Sequence, residues 1–452
     1  MVDGGRLKEA PRPSLRELPR LAWSQQDPVK TTREAWRRFG DVFYLPGRGG
    51  GIFFIHPDHV QRILLDRQAF YLKQTREYEK LRLILGDGLL TSDGEAWRRQ
   101  RQMIQPIFHH ENVCRFAGLI TRATEEMLDR WEERRSSGFP LDLSVEMGQL
   151  TLTIIGQAMF SADLGQEETS RVCRSILETN RHLRSDITRL FELPHWVPTP
   201  RNWRFRASRR IFHALIGRMI QDRLRNGQEG REDLLSLLLV ARDPETGQPL
   251  DSKQVEDEIN TFYAAGHETT ANALTWTWYL LSQHPPVLDL LRQELEFLGG
   301  RPPTLKDLPR LSYTRQVIQE SLRLYPPVWL LPRLATQEDS IGGYRVPAGA
   351  KVCVSLYCTH RHPRFWEQPE IFDPTRFDPD RQGSRHPFAY FPFSGGPRSC
   401  VGRDLALLET TLILATTAQR YRLQRVPTHP VRTEALITLR PRYGMKMTVH
   451  RH

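Results

Sequence analysis

Cys400 is the residue whose surroundings indicate chemistry most clearly. It lies in the stretch 393–402, Phe-Ser-Gly-Gly-Pro-Arg-Ser-Cys-Val-Gly, between a long irregular segment and the pattern of a final helix. At a helix N-terminus, unpaired backbone N–H groups and the positive end of the helix dipole favour a thiolate. The glycines of the stretch allow a tight turn beside a large flat group, and Arg398 adds a positive charge. A lone cysteine is more often a small buried hydrophobe, but these surroundings favour a thiolate with a chemical role.

Glu268 and Thr269 are the second feature of interest, because they fall within a long apolar helical pattern. The pattern covers residues 253–283 and stops before a proline pair, since proline cannot continue a helix. Its middle is apolar or small on most faces, which is typical of a buried helix. A buried threonine can bond back to its own helix, and a glutamate can pair with a base. Because buried polar groups are costly, a functional role is favoured.

Helices must position both groups, because helical periodicity dominates from about residue 58 onward. Residues 331–358 alternate and contain glycine and proline, which predicts short strands joined by turns. Residues 401–421 predict a final long helix, and residues 431–450 predict a β-hairpin. The predicted fold class is therefore mainly α with small β-sheets (α+β).

The chain is predicted to form one domain preceded by an arm. Residues 1–25 are rich in proline, arginine and glycine and predict a flexible N-terminal arm, whereas residues 26–452 predict a single domain. The N-terminus lacks the apolar core of a signal peptide, and no segment approaches the ~20 apolar residues that span a bilayer. Five widely spaced cysteines do not indicate a disulfide framework, so we expect a cytoplasmic protein.

The formal net charge of +11 is compatible with nucleic acid, an anionic membrane or an acidic protein partner. Arginine and lysine are scattered along the chain and never run beyond two in a row. This scatter disfavours nucleic-acid binding, and a solvated basic surface is the plainer explanation.

The pattern F-x-x-G-x-R-x-C-x-G of residues 393–402 resembles the cysteine loop of the cytochrome P450 family. Further stretches resemble other motifs of the family and occur in its order: Trp97 with Arg101, residues 265–270 (Ala-Gly-His-Glu-Thr-Thr), Glu320 with Arg323, and residues 372–377 (Phe-Asp-Pro-Thr-Arg-Phe). Thr375 replaces a glutamate common in the last motif, but Arg376 is kept. An E-x-x-R pair alone is weak evidence, because helices often carry Glu–Arg pairs at this spacing. The resemblance covers nearly the whole chain, from about residue 41 to the end.

The resemblance implies a cytochrome P450 fold, with haem b between the long distal helix and the helix after the cysteine loop. Cys400 would be the iron ligand, since a thiolate ligand pushes electron density onto haem iron. Four side chains would donate to the haem propionates, and two further residues would contact the cofactor. The implied cofactor-binding residues are Trp97, Arg101, Arg333, Phe393, Arg398 and Gly402. Arg333 follows only from its position after residues 328–332, and an ordinary surface arginine is the alternative.

The resemblance also implies roles for the polar residues of the long helix and of the E-x-x-R motif. Glu268 and Thr269 would relay protons toward the site of oxygen activation, and Gly266 with Ala265 would leave room for O₂. The Glu320–Arg323 pair would form a buried charge network with Arg376 that positions the proximal loop.

The implied activity is an O₂-dependent monooxygenase acting on an apolar substrate such as a fatty acid, a terpenoid or a carotenoid-like molecule. Residues 78–90, Phe262, residues 328–331 and the end hairpin should line the pocket, with plain core packing as the alternative. Two other functions stay open: a peroxide-driven haem-thiolate enzyme, and a non-catalytic haem sensor or carrier. The Glu268–Thr269 pair disfavours both.

Electrons should come from a separate protein. Only 52 residues follow Cys400, and no G-x-G-x-x-G fingerprint or clustered-cysteine motif precedes it, so we expect no fused reductase. NAD(P)H would then act only through a partner. Because the chain is basic, we expect an acidic ferredoxin or flavodoxin with its reductase, docking beside Arg98, Arg99 and Arg403.

Residues 191–210 combine prolines, Phe191 and Trp196 with several arginines. This composition suggests a mobile lid over the substrate channel that makes a weak peripheral contact with an anionic membrane. A solvated helix start is the alternative.

Overall fold

The computed structural model describes residues 7–14, 27–135, 140–161, 164–189, 193–226, 233–383 and 385–451. Its α-helices are α1 (Pro28–Phe39), α2 (Pro57–Gln61), α3 (Arg76–Leu85), α4 (Gly94–Ile104), α5 (His110–Cys114), α6 (Ala117–Arg135), α7 (Leu143–Phe160), α8 (Gly165–Thr188), α9 (Pro200–Asn226), α10 (Leu234–Val240), α11 (Ser252–Gln283), α12 (Pro285–Leu295), α13 (Ser312–Leu324), α14 (Leu356–Thr359), α15 (Pro379–Gln382) and α16 (Arg403–Arg420). Its strands are β1 (Val42–Leu45), β2 (Gly51–Phe54), β3 (Tyr71–Leu72), β4 (Leu141–Asp142), β5 (Leu331–Ala335), β6 (Asp339–Ile341), β7 (Tyr344–Val346), β8 (Lys351–Val354), β9 (Tyr421–Arg425), β10 (Thr433–Ala435), β11 (Leu439–Pro441) and β12 (Lys446–Arg451). The predicted fold class, mainly α with small sheets, is confirmed.

Helix α11 spans 32 residues and lies within the main apolar core. The Asp251 side chain accepts from the N–H of Gln254, whose side chain accepts from the Asp251 N–H in return, so a capping box starts the helix. Its buried residues include Trp276 and Trp278, and the helix packs against α7, α13 and α16. No helix among the described residues is both long and apolar enough to cross a membrane.

The largest sheet has the strand order β1-β2-β8-β5-β3. Strands β2 and β8 run parallel and pair Ile52 with Val352, whereas the other neighbours are antiparallel. All four residues of β2 are buried, because packed segments cover both faces of this strand. The smaller sheets are β4-β12-β9, β6-β7 and β10-β11.

The C-terminal tail is not the single hairpin that the sequence predicts. Strands β10 and β11 form a hairpin, but β12 leaves it and pairs with β9 and β4 in another sheet. Gly444 lies between β11 and β12 with a φ of 75°, and a Cβ there would lie 2.3 Å from Asp142 Oδ2. A backbone that glycine adopts readily therefore redirects the chain at this point.

Part of the predicted flexible arm is bound to the sheets. The Lys8 N–H donates to the Gly343 carbonyl at 3.0 Å, and the Tyr44 N–H donates to the Pro11 carbonyl at 2.8 Å. Ala10 packs into the apolar cluster beneath. Residues 7–14 are thus held in place, and the rest of the predicted arm, 1–6 and 15–25, lies outside the described residues.

Candidate active site

Cys400 lies in a tight loop two residues before the Gly402 cap of α16. The Cys400 N–H donates to the Phe393 carbonyl at 2.9 Å, which closes the loop. A Cβ on Gly396, whose φ is 67°, would lie 2.1 Å from the Leu64 carbonyl oxygen. Only glycine therefore allows the loop to approach the preceding segment this closely.

Protein surrounds the loop, but the Cys400 side chain is exposed to a cavity. Burial raises the pKa of its thiol, while the Gly402 N–H and the charges of Arg101 and Arg403 oppose that rise. The helix terminus acts in the predicted direction, but its effect is smaller than that of burial. A coordinated cation would supply the remaining stabilisation of a thiolate.

The cavity has a volume of about 670 Å³ and extends between the cysteine loop and the middle of α11. All four segments expected to line a pocket border it, and most of their contributions are apolar. These residues include Leu81, Ile84, Leu85, Leu89, Leu90, Phe262, Val328, Trp329, Leu330, Leu331, Leu436 and Ile437. Such a wall favours apolar ligands over polar ones.

Three predicted propionate donors meet at one end of this cavity. The Arg398 guanidinium lies 3.7 Å from the centre of the Trp97 ring and donates to the Asp93 carboxylate at 2.5 Å. Arg101 donates to the Ser399 carbonyl at 2.8 Å, which joins α4 to the cysteine loop. All three side chains line the cavity.

Arg333 also lines the cavity, and only 4% of it is exposed, so the alternative of a surface arginine is wrong. It donates to the Tyr78 hydroxyl at 3.0 Å. Lys73, which the sequence analysis missed, lies beside it, is also buried, and donates to the Leu90 carbonyl at 2.8 Å. Burial and the neighbouring charges of Arg333 and Arg398 hold the pKa of Lys73 well below its ordinary value.

This cluster of cations fits a group that carries two carboxylates. Lys73, Arg101, Arg333 and Arg398 all border the cavity, while Asp93 is the carboxylate that pairs with Arg398 there. Buried like charges are costly unless counter-charges compensate them. The propionates of a haem would supply that compensation, so the residues present fit this cofactor.

Phe393 and Gly402 border the cavity as predicted for residues that contact the cofactor. A Cβ on Gly402 would meet Phe108 Cε1 at 3.9 Å, which is ordinary contact. Protein packing therefore does not require glycine at this position, and the space needed beside the cofactor is the remaining reason for it.

Glu268 and Thr269 face the cavity from α11. The Thr269 hydroxyl donates to the Ala265 carbonyl at 2.7 Å, and the Glu268 carboxylate accepts from the Asn180 amide at 2.5 Å. Burial raises the pKa of Glu268, and the charge of Arg440 opposes that rise. The pair thus combines its local hydrogen bonds with access to the cavity, and the carboxyl holds its proton to a higher pH than usual.

The neighbours of this pair also border the cavity. Ala265 and Gly266 both line it, and a Cβ on Gly266 would lie 3.1 Å from Ile155 Cδ1. The glycine therefore also allows close packing of α11 against α7, in addition to its predicted role of leaving room for O₂. His267 is buried, and burial lowers its pKa to about 4.

Glu320, Arg323 and Arg376 form the charge network that the sequence predicts. Arg323 donates to both carboxylate oxygens of Glu320, at 2.6 and 2.7 Å, and Arg376 Nε lies 3.4 Å from Glu320 Oε1. Arg323 also donates to the carbonyls of His360 and Pro369, so the pair fixes the path of the chain that leads to the cysteine loop.

Glu409 on α16 is a buried acid that the sequence analysis missed. It borders the cavity, its side chain bonds to Thr270 of α11, and burial raises its pKa to about 8. A glutamate on the apolar face of a predicted helix was the available signal.

The comparisons with known proteins agree with this geometry. The family model described as Cytochrome P450 matches residues 10–447, so the chain belongs to the cytochrome P450 family. It is accordingly a haem-dependent monooxygenase, an oxidoreductase, as the resemblance implies.

Individual relatives cover most of the chain. Cyclooctatin synthase of Streptomyces melanosporofaciens is 37% identical over 85% of this chain and 83% of that protein. Cyclooctat-9-en-7-ol 5-monooxygenase of the same organism is 38% identical over 82% of this chain and 80% of that protein. The human ultra-long-chain fatty acid omega-hydroxylase is 31% identical over 88% of this chain and 79% of that protein. The crystal structure of the cytochrome P450DA haem domain superposes with a TM-score of 0.90, at 27% identity, covering 99% of this chain and 98% of that one.

Lys73→Met should weaken haem retention, because it removes a donor from the cation cluster. A charge-assisted hydrogen bond contributes about 1.5–3 kcal/mol, so haem should transfer to an acceptor protein at least about tenfold faster. Lys30→Met, which changes an exposed lysine of α1, is the matched control. Equal transfer rates for the two variants would remove Lys73 from the cofactor site.

Proposed function

We propose that this protein inserts one oxygen atom from O₂ into an apolar terpenoid or long-chain lipid substrate, using haem b. The observation that carries this proposal is the apolar cavity that joins the Glu268–Thr269 pair to Cys400. Its relatives include a cyclooctat-9-en-7-ol monooxygenase and a fatty acid hydroxylase, which supports both substrate classes. A carotenoid-like substrate, the third expectation, has no comparable support.

Bound haem supplies the oxygen and electron-transfer chemistry. Cys400 would ligate its iron as a thiolate, and Lys73, Arg101, Arg333 and Arg398 would hold its carboxylates. The leucine-rich wall of the cavity would orient the substrate and exclude water. Burial raises the pKa of Glu268, so its carboxyl would keep a proton to higher pH than an ordinary glutamate, on the same helix as the Thr269 hydroxyl that faces the cavity. A peroxide-driven enzyme or a haem carrier has no need of this pair.

A spectral binding screen tests the proposed function. Terpenoid alcohols and long-chain fatty acids should shift the haem of the holoenzyme from low spin to high spin, because a filled apolar cavity displaces water. Small polar acids of similar charge are the control ligands. A set of responses confined to the polar acids would contradict the proposed substrate class.

We propose further that electrons come from a separate acidic ferredoxin or flavodoxin, reduced at the expense of NAD(P)H. The predicted docking residues already lie beside acids: Arg98 contacts Glu95 and Glu245, Arg99 contacts Asp243, and Arg403 contacts Asp404. The positive field of these arginines is therefore weaker than the sequence suggests.

We also propose that the protein works in the cytoplasm. The five cysteines form no disulfide, which supports a reducing setting.

Charge reversal tests this docking face. Arg98→Glu/Arg99→Glu should slow reduction by an acidic ferredoxin severalfold at low salt, because it reverses the steering field. Stopped-flow reduction over a salt series gives both the rate and its salt slope. An unchanged rate and slope would mean that the donor docks elsewhere.

We also propose a lid that touches an anionic membrane weakly. Leu193, Trp196 and Trp203 are exposed, as are Arg204, Arg209 and Arg210, whereas Phe191 lies outside the described residues. Tryptophan beside arginine suits a lipid interface. The holoenzyme should sediment with anionic vesicles at low salt, and Trp196→Ser/Trp203→Ser should reduce this severalfold. Failure of the wild type to sediment would leave only the lid role.

A further inference from the structure

Three metal-ligating side chains meet between α8 and the segment that follows it. His182 and Asp186 lie one turn apart on α8, and His195 lies on residues 193–199, which lead into α9. His182 Nε2 is 3.3 Å and His195 Nε2 is 3.6 Å from the same oxygen, Asp186 Oδ2. The three ligand atoms all lie within 4.8 Å of one another.

These distances suit zinc. Ligand atoms 2.0–2.2 Å from a tetrahedral zinc ion lie about 3.3–3.6 Å apart. His182 and Asp186 are both buried, and His182 Nε2 and Asp186 Oδ2 contact each other without a well-formed hydrogen bond to any group in the described part of the chain. Buried polar atoms normally make well-formed hydrogen bonds, so this arrangement leaves the ligand atoms available to a bound ion.

Surrounding residues hold the ligands in place. Arg201 of α9 pairs with Asp186 Oδ1, which leaves Oδ2 facing the two imidazoles. Arg201 also donates to the His182 carbonyl at 3.1 Å. The Phe205 ring stacks on the His182 ring at 4.2 Å and lies 5.0 Å from the His195 ring. Such outer contacts orient ligands and strengthen metal binding.

A second group, Asp41 with His56 and His362, contains similar side chains, but its ligand atoms already make hydrogen bonds. Asp41 Oδ1 contacts His362 Nε2 at 3.0 Å and accepts from Trp36 Nε1 at 2.9 Å. His56 Nδ1 accepts from the Asp58 N–H. These ligand atoms are already engaged, so this group carries no proposal.

We propose that His182, Asp186 and His195 bind a divalent transition-metal ion, with Zn²⁺ as the best fit to two imidazoles and one carboxylate. Such a mixed nitrogen and oxygen set suits zinc, and water would complete the tetrahedron. His195 is the most exposed of the three ligands and provides the entry path.

Zinc there would fasten the 193–199 segment to α8. The other face of α8 lines the cavity through Asn180, Leu183 and Ile187, so the bound ion would stiffen one wall of the substrate space. This consequence rests on the proposed lid role, whereas metal binding itself does not.

Equilibrium dialysis of the holoenzyme against Zn²⁺, without substrate or reductant, tests the site. One zinc ion should bind per chain. His195→Gln should weaken zinc binding at least tenfold, whereas His195→Cys, which replaces one ligand with another, should retain zinc binding. Cys114→Ser is the matched control, because half-buried Cys114 and exposed His110, whose Sγ and Nε2 atoms lie 3.3 Å apart, offer an adventitious site. Zinc should also slow hydrogen exchange of backbone amides in residues 193–202.

The outcomes separate this site from the proposed activity. No saturable zinc binding, or equal affinity in the wild type and His195→Gln, would overturn the proposal and leave a plain His–Asp ion-pair cluster. Binding lost only in Cys114→Ser would assign the zinc to the surface pair instead. None of these results depends on turnover, so failure of the monooxygenase assignment would be seen separately in the spectral screen.

Discussion

Cys400→Ser is expected to abolish the thiolate-type absorption spectrum of the reduced CO complex. The side chain of Cys400 borders the cavity beside the cation cluster, and a serine hydroxyl cannot supply a thiolate to the iron. The measurement is the difference spectrum of purified, haem-loaded protein after reduction and addition of CO.

The remaining cysteines provide the controls. Burial raises the pKa of Cys173 and Cys353 to about 12 and that of Cys358 to about 11, and none of these three borders the cavity. Alanine at each of these positions should leave the spectrum intact, as should Cys114→Ser. Persistence of the spectrum in Cys400→Ser would show that another residue ligates the iron.

The second large effect is expected from Thr269→Ala and Glu268→Gln. Both variants should keep haem and substrate binding but divert reducing equivalents to peroxide or water. Positioned proton donors contribute roughly 10²–10⁴-fold in rate, so product formed per NAD(P)H consumed should fall by at least an order of magnitude. Thr275→Ala is the matched control, because Thr275 bonds back to Ala271 at 2.7 Å but does not border the cavity.

The pH dependence provides an independent check on the same pair. The raised pKa of Glu268 keeps its carboxyl protonated at higher pH than a free glutamate, and the proton is lost as pH rises through that value. Wild-type coupling should therefore fall toward alkaline pH, and Glu268→Gln should remove that dependence. Unchanged coupling in both Thr269→Ala and Glu268→Gln would exclude a relay through these residues.

Local motifs explain how much of the site could be predicted from the sequence. Cys400 and Arg398 occur at a fixed spacing within one ten-residue motif, and Trp97 and Arg101 lie one helical turn apart. The sequence alone therefore identifies these four residues. Lys73 belongs to no motif. It reaches the site only because β3 pairs with β5, which brings it beside Arg333.

The errors in the predicted fold have a similar physical origin. Alternation in residues 431–450 predicts strands but not their partners, since the pairing of β12 with β9 depends on a turn at Gly444 and on distant chain. The close approach of Ile155, on another helix, to Gly266 could likewise not be predicted from the sequence. Contacts between remote segments are not encoded in local periodicity.

The parallel pairing of β2 with β8 has a consequence for synthesis on the ribosome. The strand that contains Ile52 can pair with β8 only after Val352 has been synthesised, 300 residues later. At about 5–20 residues per second, the apolar β1–β2 hairpin is exposed for roughly 15–60 s after it emerges. Nascent chains arrested before residue 351 should therefore bind chaperones at this hairpin, and overexpression should be limited by translation-coupled aggregation rather than by the stability of the finished fold.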